Sequence, residues 1–269
     1  MKSKKSKYPS SGGIPLQKKY GQYFLRDAQV TTDMLAAVDV KDASVFEIGC
    51  GDGFLTKSIL AQKPKRLFVF EIDPSWATHV SNTYANQRLT MHVTDFLQVQ
   101  PEMLSADTRW IVLSNLPYHV TFPILHKIKE FGDLIPSGVF MIQEEVAQKL
   151  IQTRGKGYGY VALFFQYYFD WKLLSKVAPH CFYPEPKVFS RLISFTRKKG
   201  VSGIPQEKDF WEFIRFCFAY PRRTLRNNLA QTHVPLETFS DDILDLRSQQ
   251  MSMADFLKLW ELVRPHFTR

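Results

Sequence analysis

SVFEIGCGDGFLTKSILAQ, residues 44–62, joins a short apolar run, a glycine turn and a helical stretch without a break. Similar apolar runs follow at RLFVFEID (66–73), LTMHVTD (89–95), RWIVLSN (109–115) and GVFMIQ (138–143), separated by helical stretches over 54–62, 74–86 and 122–131. Strand–helix–strand repetition at this spacing predicts a mostly parallel, doubly wound α/β sheet with helices on both faces. Beyond Gln143 come a helix over 144–152, the turn RGKGYGY, and two strand-like runs (167–177 and 188–196) around the proline-rich PHCFYPEPKV. Such a pair closes the sheet with an antiparallel edge strand. KKGVSGIPQ (198–206) reads as a linker, and only helical signals follow, over 209–220, 222–231, 235–245 and 252–263. The expected organisation is a basic disordered arm over 1–15, an α/β domain over 16–200 and a small all-helical C-terminal domain over 203–269.

The chain's 269 residues are 45% hydrophobic and 14% aromatic, which allows a substantial core and excludes global disorder. The longest largely apolar run, 160–171, is interrupted by Gln166 and Asp170 and is too short to span a bilayer. No apolar stretch follows the lysine-rich N-terminus, as a secretory signal requires. Cys50, Cys181 and Cys217 stand in no zinc or redox spacing. A reduced, cytoplasmic protein without metal or membrane partner is expected. Of the net charge of +9, residues 1–26 carry +7, because Lys2, Lys4, Lys5, Lys7, Lys18, Lys19 and Arg26 all precede the first acid, Asp27. A basic arm on a nearly balanced body suits phosphate binding by a mobile segment, or serves as a solubilising tail.

The glycine turn at 49–53 lets a ligand approach the backbone and meet the N–H groups of the following helix. It is not the dinucleotide pattern G-x-G-x-x-G, since Phe54 fills the last position, and no Walker lysine follows. Glu71, at the tip of the second strand, is placed to accept from ribose hydroxyls, whereas Asp73, before Pro74, caps the next helix. Asp95 ends the third strand, where it is placed to accept from an adenine amino group while Phe96 covers the ring.

The fourth strand ends in NLPY (115–118), the most specific signal in the chain. In an exocyclic base amine the lone pair is delocalised into the ring, so the nitrogen is a poor nucleophile toward a methyl donor. Acceptors aimed at its two hydrogens favour pyramidal geometry and return electron density to nitrogen. The Asn115 side-chain oxygen and the Leu116 carbonyl are such acceptors, and Pro117 holds the turn rigid. Tyr118 offers an aromatic face to an extruded base. No general base is needed when the proton leaves after the cationic product has formed.

Together these motifs resemble the ribosomal-RNA adenine dimethyltransferases, which use S-adenosylmethionine. The likeness runs through YGQYFLRD (20–27), EIGCGDG, FEID, TDF, NLPY, QEEVAQKL, YGYVALFFQYY, FYPEPKV and FIRFCFAYPRRTLRNNL, in the family's order, over about residues 17–230. It implies a Rossmann-like methyltransferase domain with a helical RNA-binding domain. It also implies dimethylation of two adjacent adenines near the 3′ end of small-subunit rRNA, by a monomer acting on an immature small ribosomal subunit. Carried over by position, Gly49 and Gly51 line the cofactor's methionine end, Glu71 holds its ribose and Asp95 faces its adenine amino group. Leu25 packs near the cofactor. Asn115, Leu116 and Tyr118 form the catalytic corner, and Phe182 closes over the target base from the other side.

The chain departs from the family's pattern at several places. GQNFL is GQYFL here, so Tyr23 replaces an Asn that touches the cofactor in the family, and its ring is expected across the cofactor pocket. Cys50 and Asp52 stand where Pro and an apolar residue are common, and HVTF follows NLPY in place of NIST, putting His119 and Phe122 beside the site. Basic residues of the later segments fit RNA phosphates: Lys187 and Arg191 by the FYPEPKV loop, and Arg222, Arg223 and Arg226 on one helix. Two rival functions remain from the sequence. One is a large-subunit rRNA adenine methyltransferase of the macrolide-resistance type, in which NIPY is frequent. The other is a small-subunit assembly factor that binds without chemistry.

Overall fold

The computed structural model describes residues 10–104, 109–201, 203–230 and 232–267. Three short strands, β1 (Ser10–Ser11), β2 (Ile14–Pro15) and β3 (Phe24–Leu25), lead into α1 (Ala28–Ala36). The alternating core follows as β4 (Ser44–Ile48), α2 (Phe54–Ala61), β5 (Arg66–Glu71), α3 (Pro74–Thr83), β6 (Leu89–Val93), β7 (Trp110–Asn115), α4 (Thr121–Glu130) and β8 (Ser137–Gln143). Then come α5 (Glu144–Ile151), α6 (Tyr160–Tyr168), β9 (Phe169–Val177), β10 (Phe182–Tyr183) and β11 (Ser190–Arg197). The chain finishes with α7 (Glu207–Cys217), α8 (Leu225–Leu229), α9 (Asp241–Leu244) and α10 (Met253–Val263).

Two compact units result. One runs to Ala147 and resumes over Trp171–Arg197; the other takes Gln148–Asp170 and the chain from Lys198 onward. The first is built on a seven-stranded sheet in the order β6-β5-β4-β7-β8-β11-β9. Strands β4 to β8 are parallel neighbours, and β11 runs antiparallel to β8, from Ser190 opposite Gln143 to Thr196 opposite Ser137. This is the α/β sheet that the alternation predicts. All five residues of β4 are buried, because both its edges are paired and both its faces covered, and its sequence accordingly reads as one continuous run. The chain moves from β4 outward to β6 and then crosses back to β7. Ligands of such sheets bind outside the carboxyl ends of the strands at that reversal. Asp27 and Asp73 fix the starts of α1 and α3 by accepting from the Gln29 and Ser75 N–H groups.

Three expectations need correction. Residues 1–9 of the expected arm lie outside the described residues, and 10–15 form a hairpin, β1 with β2. Packing accounts for this order: Ile14, Leu16 and Phe24 cluster on the fully buried Trp76. The α/β unit does not extend unbroken to residue 200. Residues 148–170 group with the C-terminal helices because the aromatic face of α6 wraps Trp211 of α7. Phe164 meets that indole edge-on at 4.7 Å, and the indole N–H donates to the Tyr168 hydroxyl at 2.9 Å. The helix expected over 222–231 is only Leu225–Leu229, since Thr224 is extended and caps it by accepting from the Asn227 N–H. Likewise, extended Phe239 and Ser240 split 235–245 into a single turn and α9.

Candidate active site

A crevice of about 170 Å³ opens beyond the carboxyl ends of β4 and β7, inside the first unit. Its floor is the glycine turn. Gly49 holds φ +71°, and the place a Cβ would occupy is open space. At Gly51 the requirement is different: a Cβ would lie 2.8 Å from the Phe24 ring. The Gly51 position thus admits β3, whose Leu25 also lines the crevice. Arg26 reaches Asp52 at 2.6 Å and Ser11 at 2.9 Å, fastening the N-terminal hairpin to the same turn. An acid at position 52, unusual for the resembled family, is therefore half of an ion pair.

The NLPY segment forms a rigid corner. Pro117 sits at φ −59°, and the Leu116 N–H donates to the Met141 carbonyl at 3.1 Å. Ser114 bonds the Ile48 carbonyl, tying the tips of β7 and β4 together. The Asn115 amide nitrogen donates to the Tyr23 carbonyl at 2.9 Å, which commits the nitrogen outward and leaves the amide oxygen as the acceptor at the crevice. Tyr118 is held twice. Its hydroxyl lies 2.8 Å from the Ser190 hydroxyl, and its ring stacks with Tyr23 at 5.5 Å and 24°. Burial pushes the Tyr118 hydroxyl up from its usual pKa, so it stays protonated at neutral pH. The Tyr23 ring thus lies on Tyr118, and Tyr23 lines the crevice across which the sequence expects its ring. Ser190 is a site residue that sequence reading misses, because only the antiparallel return of β11 brings it to Gln143 and so to this corner.

Two acids shape the opposite wall. Glu71 lines the crevice with its carboxylate already engaged, by the Asp73 N–H at 2.9 Å and the Gly51 N–H at 3.2 Å. Burial raises its pKa and these hydrogen bonds oppose the rise. The Cys50 thiol also donates to the oxygen that Gly51 holds, at 3.6 Å, so the oxygen on Asp73 is the one that keeps a second lone pair for a ligand hydroxyl. Glu47, in the middle of β4, is the second residue missed. It is 1% exposed; one oxygen accepts from Thr56 at 2.6 Å and the other has no hydrogen-bond partner. Burial lifts its pKa to about 8, with a further push from Glu71 and Asp52. A lone acid in SVFEIG was the available signal. An orphaned carboxylate oxygen beside an open glycine turn fits a ligand with a cationic end.

Asp95 also lines the crevice and accepts from the Leu97 N–H at 2.9 Å. Phe96 is less free than expected. Its ring is stacked between Phe46 (5.6 Å) and Phe131 (5.8 Å), so it walls the crevice from within the core. Phe182 is 3% exposed and paired through β10 with Leu25 of β3, and its ring packs in the core of the first unit. Arg191, expected on RNA phosphate, is a correction: both its Nε and a terminal nitrogen bond Glu144, at 2.7 and 2.9 Å, and it braces β11. Lys187 is exposed. In the second unit, Arg222 and Arg223 precede α8 and only Arg226 is on it, so the three share no helical face. Arg226 is paired with Asp241 at 2.6 Å and Asp245 at 3.4 Å. Among the described residues no three potential metal ligands cluster, and no helix is long and apolar enough to cross a membrane.

Comparison with known proteins gives one consistent family. The family described as "Ribosomal RNA adenine dimethylase" matches residues 15–263. Proteins named "Ribosomal RNA small subunit methyltransferase A" from Chlorobium phaeobacteroides and Chlorobium luteolum are 34% and 36% identical over 254 residues. Each alignment covers 94% of this chain, and 93% and 91% of theirs. Among solved structures, a dimethyladenosine transferase from Plasmodium falciparum matches with a TM-score of 0.76 at 20% identity, over 88% of this chain and 96% of that one. The 23S rRNA methyltransferase ErmE gives 0.65 at 20% identity, over 90% of this chain and 99% of that one. At those identities the two structures speak for the fold.

Proposed function

The chain belongs to the ribosomal RNA adenine dimethylase family, and from that premise we propose that it dimethylates two adjacent adenines near the 3′ end of small-subunit rRNA. The donor in this reading is S-adenosylmethionine, which supplies a methyl carbon made electrophilic by its sulfonium. Gly49 and Gly51 would line its amino-acid end with Leu25 packed near it, Glu71 would accept from the ribose hydroxyls, and Asp95 would accept from the adenine amino group. The unpartnered oxygen of Glu47 supports a cationic group at the same wall.

The chemistry of the corner follows from its fixed acceptors. The Asn115 oxygen and the Leu116 carbonyl accept from the two hydrogens of the target amine and hold its nitrogen pyramidal. The lone pair would then form the new nitrogen–carbon bond as the carbon–sulfur bond of the donor breaks, its electron pair passing to sulfur to leave a neutral thioether, and one amine proton would leave the cationic product for water. Tyr118, its hydroxyl held by Ser190, keeps its ring oriented toward the base. Repeating the cycle on the secondary amine gives the dimethyl product. His119 lines the crevice but is required for no step.

One observation carries the reading: the Asn115 nitrogen is committed to the Tyr23 carbonyl, so that the oxygen is left for the substrate. In this reading the protein works as a monomer in the cytoplasm on an immature small subunit. The test is incubation with unmodified small subunits and labelled S-adenosylmethionine, followed by mapping of the modified bases. Two neighbouring dimethylated adenines are expected in small-subunit RNA. Label in large-subunit RNA alone would establish the macrolide-resistance type, and tight subunit binding without label the assembly factor.

A further inference from the structure

The end of β10 and the loop from it to β11 turn large apolar side chains outward: Tyr183 and Val188 are 43% exposed and Phe189 45%. Clustered exposure of this kind marks an interaction surface more often than a packing fault. The backbone beneath it is fixed. The Phe189 carbonyl accepts from the Glu144 N–H at 3.0 Å, and Ser190, the next residue, is fully buried with its hydroxyl on Tyr118. The Lys176 ammonium lies 4.3 Å from the centre of the Phe189 ring, and exposed Lys187 is two residues upstream. An aromatic ring on a rigid backbone, flanked by cations, is the arrangement that holds unpaired nucleotides: the ring takes a base and the lysines take phosphates.

We propose that Phe189, backed by Lys176, is a stacking platform for the unpaired RNA base next to the adenine presented at Tyr118. The inference rests on the rRNA-methyltransferase reading. An extruded adenine leaves its chain neighbour without a stacking partner, and this unstacking costs free energy. Phe189, one residue from the hydroxyl that positions Tyr118, replaces the lost face. Lys176 holds the ring by a cation–π contact and places positive charge where the backbone of that nucleotide passes.

The test is methylation of unmodified small subunits by wild type, Phe189→Ala, Phe189→Leu and Phe189→Trp, with kcat and KM read separately. Phe189→Ala and Phe189→Leu are expected to raise KM roughly 5- to 150-fold, the loss of one stacked base, at unchanged kcat, while Phe189→Trp keeps or lowers it. A KM within twofold of wild type for Phe189→Ala overturns the platform. So does full binding by Phe189→Leu, which would keep apolar contact without stacking. A second arm uses the fluorescence of Phe189→Trp referenced to wild type. Quenching by an unstructured adenine-containing RNA, and not by a duplex of the same sequence, is expected. No quenching, or equal quenching by the duplex, overturns the proposal. Wild type that modifies no small-subunit adenine sinks the functional reading instead, and the fluorescence arm then decides the platform alone.

Discussion

Asn115 holds its amide nitrogen on the Tyr23 carbonyl, so replacing it removes an acceptor and releases a neighbour at once. Asn115→Ala is expected to cut single-turnover methyl transfer by roughly 10²- to 10³-fold, the loss typical for one preorganised polar partner. Cofactor affinity by calorimetry should move only a few-fold, because the wall formed by Glu71 and the glycine turn is untouched. Near-normal turnover would remove the corner from the mechanism. Tyr23 tests a different contact. Its ring is stacked on Tyr118, and such a pair contributes roughly 0.5–1.5 kcal/mol beyond area. Tyr23→Ala should therefore lower kcat roughly two- to twelvefold, and Tyr23→Phe, which keeps the ring, should match wild type. Equal rates for both variants would mean that the stack does not order Tyr118.

Strand β4 carries a titration that its sequence hides. Glu47 has its pKa lifted to about 8 by burial, above the usual carboxylate value of 4.5. A group raised in this way stabilises the fold fully below the ordinary value, and that contribution is lost as pH climbs through the raised one. Unliganded protein should thus lose thermal stability between about pH 4.5 and 8, and Glu47→Gln should flatten that slope. A cationic ligand favours the ionised form, so cofactor binding below pH 8 should release a proton and tighten as pH rises. Calorimetry in buffers of different ionisation enthalpy measures the release; none with wild type would place the ligand's cation elsewhere. Helix α8 supports a contrast among arginines. Arg222 and Arg223 stand ahead of it, whereas Arg226 is occupied by Asp241 and Asp245. Arg222→Ala with Arg223→Ala should flatten the salt dependence of RNA binding by roughly 0.7–0.9 per lost phosphate contact, and Arg226→Ala should leave it unchanged. A slope change confined to Arg226→Ala would reverse the assignment.

Across the whole molecule, legibility in the sequence follows the range of the contact involved. The parallel strands could be read because burial on both faces writes itself into each strand as an apolar run, and NLPY because its chemistry sits in four consecutive residues. Contacts between distant segments could not. The burial of Phe182 depends on pairing a two-residue strand with β3, far back in the chain. The engagement of Arg191 appears only when antiparallel β11 sets Ser190 opposite Gln143, with Glu144 next in line. The same two pairings, β3 with β10 and β8 with β11, also impose an order in time. A ribosome adding about 5–20 residues per second needs roughly 10–40 s to bring the chain out to Arg197. Through most of that interval β3 has no strand to pair with and the Tyr118 hydroxyl has no Ser190 to meet. A nascent chain halted before residue 182 therefore carries the glycine turn, Glu71 and the whole of NLPY, yet its N-terminal wall is unclosed and its tyrosine unheld.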